Sequence, residues 1–161
     1  MKILWRAACA ALFFCAALFL MPIACQAKQA PTLAPSGLAQ LPLRITTAGG
    51  KVHSFTVEVA ATEAQQARGL MFRSSLAPDA GMIFPMRPPR MASFWMKNTF
   101  ISLDIIFVRA NGSIARIAAN TQPFSLDPIE SGEPVAAVLE IAGGRAAALG
   151  IREGDRVVLN P

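Results

Sequence analysis

The sequence contains no tyrosine, a single histidine and only three cysteines, and these shortages exclude several kinds of site. A Ser-His-Asp triad has little support, because His53 is the only histidine and no Gly-x-Ser-x-Gly motif is present. A zinc site would need more Cys and His ligands than the chain offers. Gly49-Gly50 and Gly143-Gly144 are typical of turns and not of a phosphate-binding loop. We therefore expect neither a metal nor another cofactor.

All three cysteines lie in the first 25 residues, within a segment organised like a secretory signal peptide. A short basic head with Lys2 and Arg6 precedes an apolar run over 7–21, and small residues follow at Cys25 and Ala27. This order predicts a signal peptide over residues 1–27 that is cleaved after Ala27. The remaining chain would be free of cysteine, and its location would be periplasmic or secreted.

Two alternatives remain for this N-terminal segment. The apolar residues 7–23 approach the roughly 17 residues that just span a bilayer, so the segment could stay as an anchor. A lipid-modified Cys25 is the other reading. We expect contact with a membrane only through this segment, if it is not cleaved.

Positive charge is scattered along the chain and forms no block. Cleavage after Ala27 would remove Lys2 and Arg6 and lower the net charge from +5 to about +3. With no cluster of Lys or Arg and no recognisable motif, the sequence does not predict a nucleic-acid partner.

The remaining sequence predicts one β-rich domain. Residues 28–40, rich in Pro and Ala, predict a flexible linker, and residues 41–161 predict a single domain. Strands are predicted at residues 43–47, 52–59, 81–86, 92–96, 101–108, 113–118, 135–141 and 156–159. Two short helices are predicted, one after a capping box at Thr62–Gln65 and one over 145–149. Because no helix is long enough for a crossover, we expect a mainly β (α+β) fold with an antiparallel, barrel-like sheet.

Six short segments occur in a fixed order: GLMFR (69–73), GMIF (81–84), FWMKNT (94–99), LDIIF (103–107), VLE (138–140) and GIREGD (150–155). In order and spacing they resemble the prokaryotic family called domain of unknown function 192, over about residues 43–159. The resemblance implies a small, commonly exported, β-rich domain. It implies no reaction, because the family has no assigned activity.

The run SFWMKNTFISLDIIFV (93–108) places polar residues inside a segment suited to a sheet interior. Lys97 and Asp104 are costly there unless they are paired or reach a ligand. Asp104 could equally accept backbone N–H groups and fix a turn, and Lys97 has a long stem that can reach outward. Eight residues could either stabilise the fold or contact a ligand: Trp95, Met96, Lys97, Asn98, Asp104, Glu140, Arg68 and Met71.

Three functions stay open for these residues. The preferred one is a non-catalytic envelope domain that binds a small ligand, glycan or protein segment in an apolar pocket around Trp95, with Lys97 and Asp104 as polar contacts. The second is a small enzyme that uses Lys97, Asp104 and Glu140, and the third is a scaffold without a ligand site. The methionines are expected to fill core gaps, since the Met-x-Met clusters typical of Cu(I) sites are missing.

Overall fold

The computed structural model describes residues 32–160, in which ten strands and two short helices form a β-rich domain. The strands are β1 (Thr32–Leu33), β2 (Ala39–Thr46), β3 (Val52–Val59), β4 (Ala80–Arg90), β5 (Ser93–Phe94), β6 (Leu103–Val108), β7 (Ile114–Ala118), β8 (Ile129–Glu130), β9 (Val135–Ala142) and β10 (Arg156–Leu159). The helices are α1 (Glu63–Arg68) and α2 (Arg145–Leu149).

Eight of these strands form one curled sheet in the order β1-β2-β3-β4-β9-β6-β7, with β10 also paired to β2. A single bridge between Ser113 and Arg156 connects β10 to the residue before β7, so the sheet curls into a half-barrel. All pairs are antiparallel except β3 with β4, and β5 and β8 form a separate two-stranded sheet. The predicted fold class, with about eight strands and two helices, is confirmed.

Local sequence signals place both helices. The Thr62 side chain accepts a hydrogen bond from the Gln65 backbone, and the Gln65 side chain accepts one from the Thr62 N–H, which completes the predicted capping box. Helix α1 ends at Gly69, and α2 is followed by Gly150 in the left-handed conformation.

Several segments differ from the sequence prediction. The strand predicted over 92–96 is reduced to β5 (Ser93–Phe94), and β8 (Ile129–Glu130) lies where no strand was predicted. Strand β1 and the start of β2 pair within the segment predicted as a linker, where backbone pairing occurs without any alternation of apolar side chains. Strand β4 continues through the exposed residues 87–90, which the sequence suggested were a loop, and Arg90 still pairs with Val135. The predicted signal peptide, residues 1–27, lies outside the described residues.

The sheet is covered on both faces by two apolar clusters. All six residues of β6 are buried, with Ile106 and Val108 in one cluster and Leu103, Ile105 and Phe107 in the other. This alternation is the one expected for a strand buried on both sides. The second cluster includes Leu70, just after α1, and Phe94 of β5, and both residues also line the cavity described next.

Candidate functional site

A cavity of about 380 Å³ opens between the end of α1 and strands β4, β5 and β9. This volume falls within the range of roughly 300–1,000 Å³ that is typical of small-molecule sites. Its apolar side chains are Leu70, Met71, Phe84, Met86, Met91, Phe94 and Trp95, and its polar side chains are Gln66, Arg68, Arg90, Ser93, Thr99 and Glu140.

Glu140 is the most unusual group in the cavity wall. Its position on β9 places it on the same face as Val138, in the second apolar cluster, and the residue is only 5% exposed. Burial raises the pKa of Glu140 to about 8, and the positive charge of Arg73 offsets only part of this effect. Its carboxyl group accepts no hydrogen bond within residues 32–160, where His53 Nε2 is the only fully enclosed polar side-chain atom without a partner. The Glu140 oxygens therefore keep contact with the cavity. The cavity wall therefore contains an acid whose neutral form is favoured by burial and whose oxygens open onto the cavity.

Arg73 cannot serve as that partner because it is already bound to another carboxylate. Its guanidinium donates to both oxygens of Glu58, at 2.6 and 2.7 Å, and Ser36 donates to the same carboxylate at 2.5 Å. Burial alone would raise the pKa of Glu58, but the hydrogen bonds from Arg73 and Ser36 outweigh it and the pKa is lowered. This ion pair lies beside the cavity and places a fixed positive charge near Glu140.

Four of the eight candidate residues from the sequence line the cavity together: Trp95, Glu140, Arg68 and Met71. Trp95 is half-exposed at the cavity surface, and Arg68 is exposed at the end of α1. Arg68 and Met71 also border a second, more open depression that reaches Glu58 and Phe72.

The other four candidates lie outside the cavity lining. Lys97 is exposed, with its Nζ atom 5.0 Å from the centroid of the Trp95 ring. Met96 is buried in the core, and Asn98 has a positive φ of 54° in the turn that follows. None of these residues lines the cavity.

Asp104 is fully buried and bound only by backbone groups. Its Oδ1 atom accepts hydrogen bonds from the N–H groups of Asn120 (2.8 Å) and Gly144 (2.9 Å). Its Oδ2 atom accepts one from Ala146 at 2.8 Å. The carboxylate thus holds the start of α2 against the loop after β7, and it is not available to a ligand.

Several cavity residues were not singled out from the sequence. Phe84 and Met86 alternate along β4, and Phe94 packs edge-on against Phe84 with 5.1 Å between ring centroids. The period-2 spacing of Met82, Phe84 and Met86 marks one buried face of that strand. The partnership of Glu58 with Arg73 had no sequence signal, because fifteen residues separate them.

Two further features were sought in the described part of the chain. Residues 32–160 contain no group of three or more His, Cys, Asp or Glu side chains placed to hold a metal ion. Within the same range, no helix has the length and apolar character needed to cross a bilayer.

Comparison with known proteins gives a family and two solved relatives. The model of the DUF192 family, described as "Uncharacterized ACR", matches residues 44–159. A crystal structure of a protein of unknown function from Novosphingobium aromaticivorans DSM 12444 is 50% identical, with a TM-score of 0.77, covering 81% of this chain and 93% of its own. A Sinorhizobium meliloti 1021 protein, named as a candidate transcription regulator, is 42% identical, with a TM-score of 0.75, covering 76% of this chain and 95% of its own. No curated protein matches the chain.

Proposed function

The chain belongs to the DUF192 family, and from this premise we propose that it is an exported, non-catalytic domain that binds a small amphiphilic ligand in the cavity beside Glu140. The observation that carries the proposal is the buried Glu140 carboxyl group, which faces a cavity and lacks a hydrogen-bond partner among residues 32–160. A buried polar group without a partner costs free energy, and a ligand that supplies the partner recovers it.

The cavity wall indicates the chemistry of the ligand. Aromatic rings and methionine side chains provide an adaptable apolar surface, which suits a ligand with an apolar or aromatic body. In its neutral form, which burial favours, Glu140 offers one donor and one acceptor and fits a neutral polar group such as an amide, amine N–H or hydroxyl. Arg68 and Arg90, both exposed and part of the lining, fit an anionic group at the other end of the ligand.

The geometry favours binding over catalysis. The enzyme hypothesis needed Lys97, Asp104 and Glu140 to act together, but Lys97 stacks over Trp95 outside the lining and Asp104 is occupied by backbone N–H groups. Glu140 is left without a second titrating group at the reacting position. The transcription-regulator name belongs to the relative that carries it, and the scattered charge of this chain does not support extending it.

The proposal includes export through the N-terminal segment. The basic head, apolar run and small residues before Ala27 support cleavage at that position. N-terminal sequencing of exported material should begin at Lys28, and material that retains Met1 or carries a lipid on Cys25 would contradict this part of the proposal.

A fluorescent probe tests the cavity directly. The probe 1-anilinonaphthalene-8-sulfonate has an aromatic body for the apolar wall, an N–H donor for Glu140 and a sulfonate for the arginines. It therefore carries all three features inferred for the ligand. The chain from Lys28 onward is suitable, because it keeps every described strand, both helices and both core clusters. In that chain Trp95 is the only tryptophan, and its fluorescence reports on the cavity independently of the probe.

Two variants and one control distinguish cavity binding from adhesion to the surface. Ala67→Phe places a ring against the cavity from the exposed end of α1 and should weaken probe binding at least about tenfold. Ala147→Phe, on an exposed position of α2, is the matched control and should leave binding unchanged. Glu140→Leu should weaken binding while the fold is kept, because it removes the polar contact alone. Equal affinity in all four proteins would overturn the proposal.

A further inference from the structure

We propose that a second surface of the domain, a patch of exposed aromatic side chains, docks onto an anionic lipid bilayer. This aromatic patch consists of Phe72, Trp95, Phe100, Phe124 and Leu126. The docking proposal rests on observations that do not involve Glu140, and it does not depend on the proposed cavity ligand. It also goes beyond the expectation that only the N-terminal segment would contact a membrane.

The patch is continuous although it comes from three separate loops. The Phe72 and Phe100 rings have centroids 6.1 Å apart, and those of Phe100 and Phe124 are 5.4 Å apart. Backbone hydrogen bonds from Phe72 to Asn98 (2.9 Å) and from Phe124 to Thr99 (3.3 Å) join the three loops. Leu126 extends the patch to Trp95, since both line one shallow depression.

These rings are largely in contact with solvent. Phe72 is 57% exposed, Phe100 47% and Phe124 58%. Single exposed apolar residues are ordinary, but several large ones in contact mark an interaction surface.

The backbone beneath two of the rings is unfavourable. Phe72 and Phe124 both have a φ of 64°, in the left-handed region that a bulky side chain rarely adopts and glycine adopts freely. Neither ring compensates for this strain by burial within the domain. Such strain at an exposed position indicates that the side chain acts outside the folded domain.

Charge and residue type favour an anionic bilayer as the occupant. Lys97 lies over the Trp95 ring, Arg68 borders the same depression as Phe72, and Arg90 lies near Trp95 in the cavity wall. The acidic groups nearby are Asp127 of the adjoining loop, Glu130 opposite Ser93, and Glu58, which is paired with Arg73. With Lys97, Arg68 and Arg90 included, positive charge remains in excess around the patch. Tryptophan and phenylalanine beside lysine and arginine are typical of surfaces that insert at the level of lipid headgroups.

Vesicle binding by the chain from Lys28 onward tests the proposal. Vesicles of phosphatidylcholine, with and without phosphatidylglycerol, are sedimented with the protein, and the shift of Trp95 fluorescence is followed. We expect binding that increases with phosphatidylglycerol and decreases with salt. The double variant Phe72→Gly/Phe124→Gly should bind about a hundredfold more weakly, at about tenfold per ring.

This double variant also separates binding from folding. Because glycine relieves the left-handed backbone, the variant should melt at or above the temperature of the unmodified chain. Val52→Ser, a change at an exposed apolar residue on β3 outside the patch, is the control and should bind normally. Lys97→Met should reduce the preference for phosphatidylglycerol, whereas Lys51→Met, in the turn after β2, should not.

Three results would overturn the proposal. One is normal vesicle binding by the double variant, and another is a lack of binding by the unmodified chain. The third is lipid-independent self-association that the double variant abolishes, which would assign the patch to a second copy of the chain. Glu140→Leu, a change at a buried residue outside the patch, should bind vesicles normally while it weakens probe binding in the cavity. Failure of the cavity proposal and failure of this one therefore give different patterns.

Discussion

Four carboxylates that are less than 10% exposed show how the partner of a residue decides its role. Asp104 accepts three backbone hydrogen bonds, Asp155 accepts two, and Glu58 forms an ion pair with Arg73. Glu140 has none of these partners among residues 32–160. The first three groups therefore stabilise the fold, and the fourth costs stability in a position where a ligand can compensate.

Asp104→Asn should destabilise the domain by about 2–4 kcal/mol. The amide oxygen can keep the bonds from Asn120 and Gly144, but the NH₂ group then faces the Ala146 N–H, so two donors oppose each other. Urea denaturation measures the loss. Lys97→Met, at an exposed side chain, should change stability by no more than about 0.5 kcal/mol. A harmless Asp104→Asn would contradict the structural role of this carboxylate.

Glu140 should make the stability of the domain fall as pH rises. Its folded-state pKa of about 8 lies above the value near 4.5 of a free glutamate. Between these two pH values the folded state keeps a proton that the unfolded state releases, so the free energy of unfolding decreases by up to about 1.4 kcal/mol per pH unit. Arg73, whose charge acts on this group, keeps its proton throughout, because its hydrogen bonds to Glu58 raise its pKa above the ordinary arginine value.

Glu140→Gln removes this titration. The stability difference between the variant and the unmodified chain should widen from pH 5 to pH 8 in the variant's favour and then stay constant. Urea denaturation of both proteins across this range measures the difference, in which the other titrating groups cancel. Parallel stability curves would show that the Glu140 carboxyl group is not held in its neutral form.

At the scale of elements, helix caps and turns could be predicted from the sequence, whereas the pairing of strands that are distant in the sequence could not. The capping box of α1 depends on neighbouring residues and is present as predicted. The Asn111-Gly112 turn that joins β6 to β7 is likewise encoded by adjacent residues. The two-residue strands β5 and β8 are too short to show a period. The parallel pairing of β3 with β4 is a long-range contact that no local pattern encodes.

Gly81 shows how one element depends on a close approach to the next. A Cβ atom at this position of β4 would lie 2.6 Å from the backbone oxygen of Glu140 and 3.1 Å from Ile141 Cγ2. Gly81→Ala should therefore push β9 away and destabilise the domain by about 1–3 kcal/mol. Thermal melting measures this, and Gly49→Ala, with only a side-chain atom at 3.9 Å, should be neutral. Equal melting of the two variants would contradict the tight packing of β4 on β9.

At the scale of the molecule, the sequence identified the cavity only in part. Arg68 and Met71 at the end of α1, Trp95 after β5 and Glu140 on β9 come from three separate segments and meet in one cavity wall. Lys97 and Asp104 looked equally suitable in the sequence, since both are charged residues among apolar ones. Only the tertiary structure shows that backbone N–H groups already satisfy Asp104 and that Lys97 lies over an indole ring.

The closing end of the half-barrel should be separable from the cavity. Asp155 accepts hydrogen bonds from Ala48 (2.8 Å) and Arg152 (2.7 Å), and so ties the turn after β2 to the turn before β10. Asp155→Ala leaves two N–H groups without acceptors and should cost about 2–4 kcal/mol of stability. Hydrogen exchange should accelerate in β10 first, while probe affinity in the native protein stays unchanged. Arg152→Ala, which keeps the backbone N–H of the same turn and changes only an exposed side chain, is the control. A loss of probe binding in Asp155→Ala would show that the two ends of the domain are coupled.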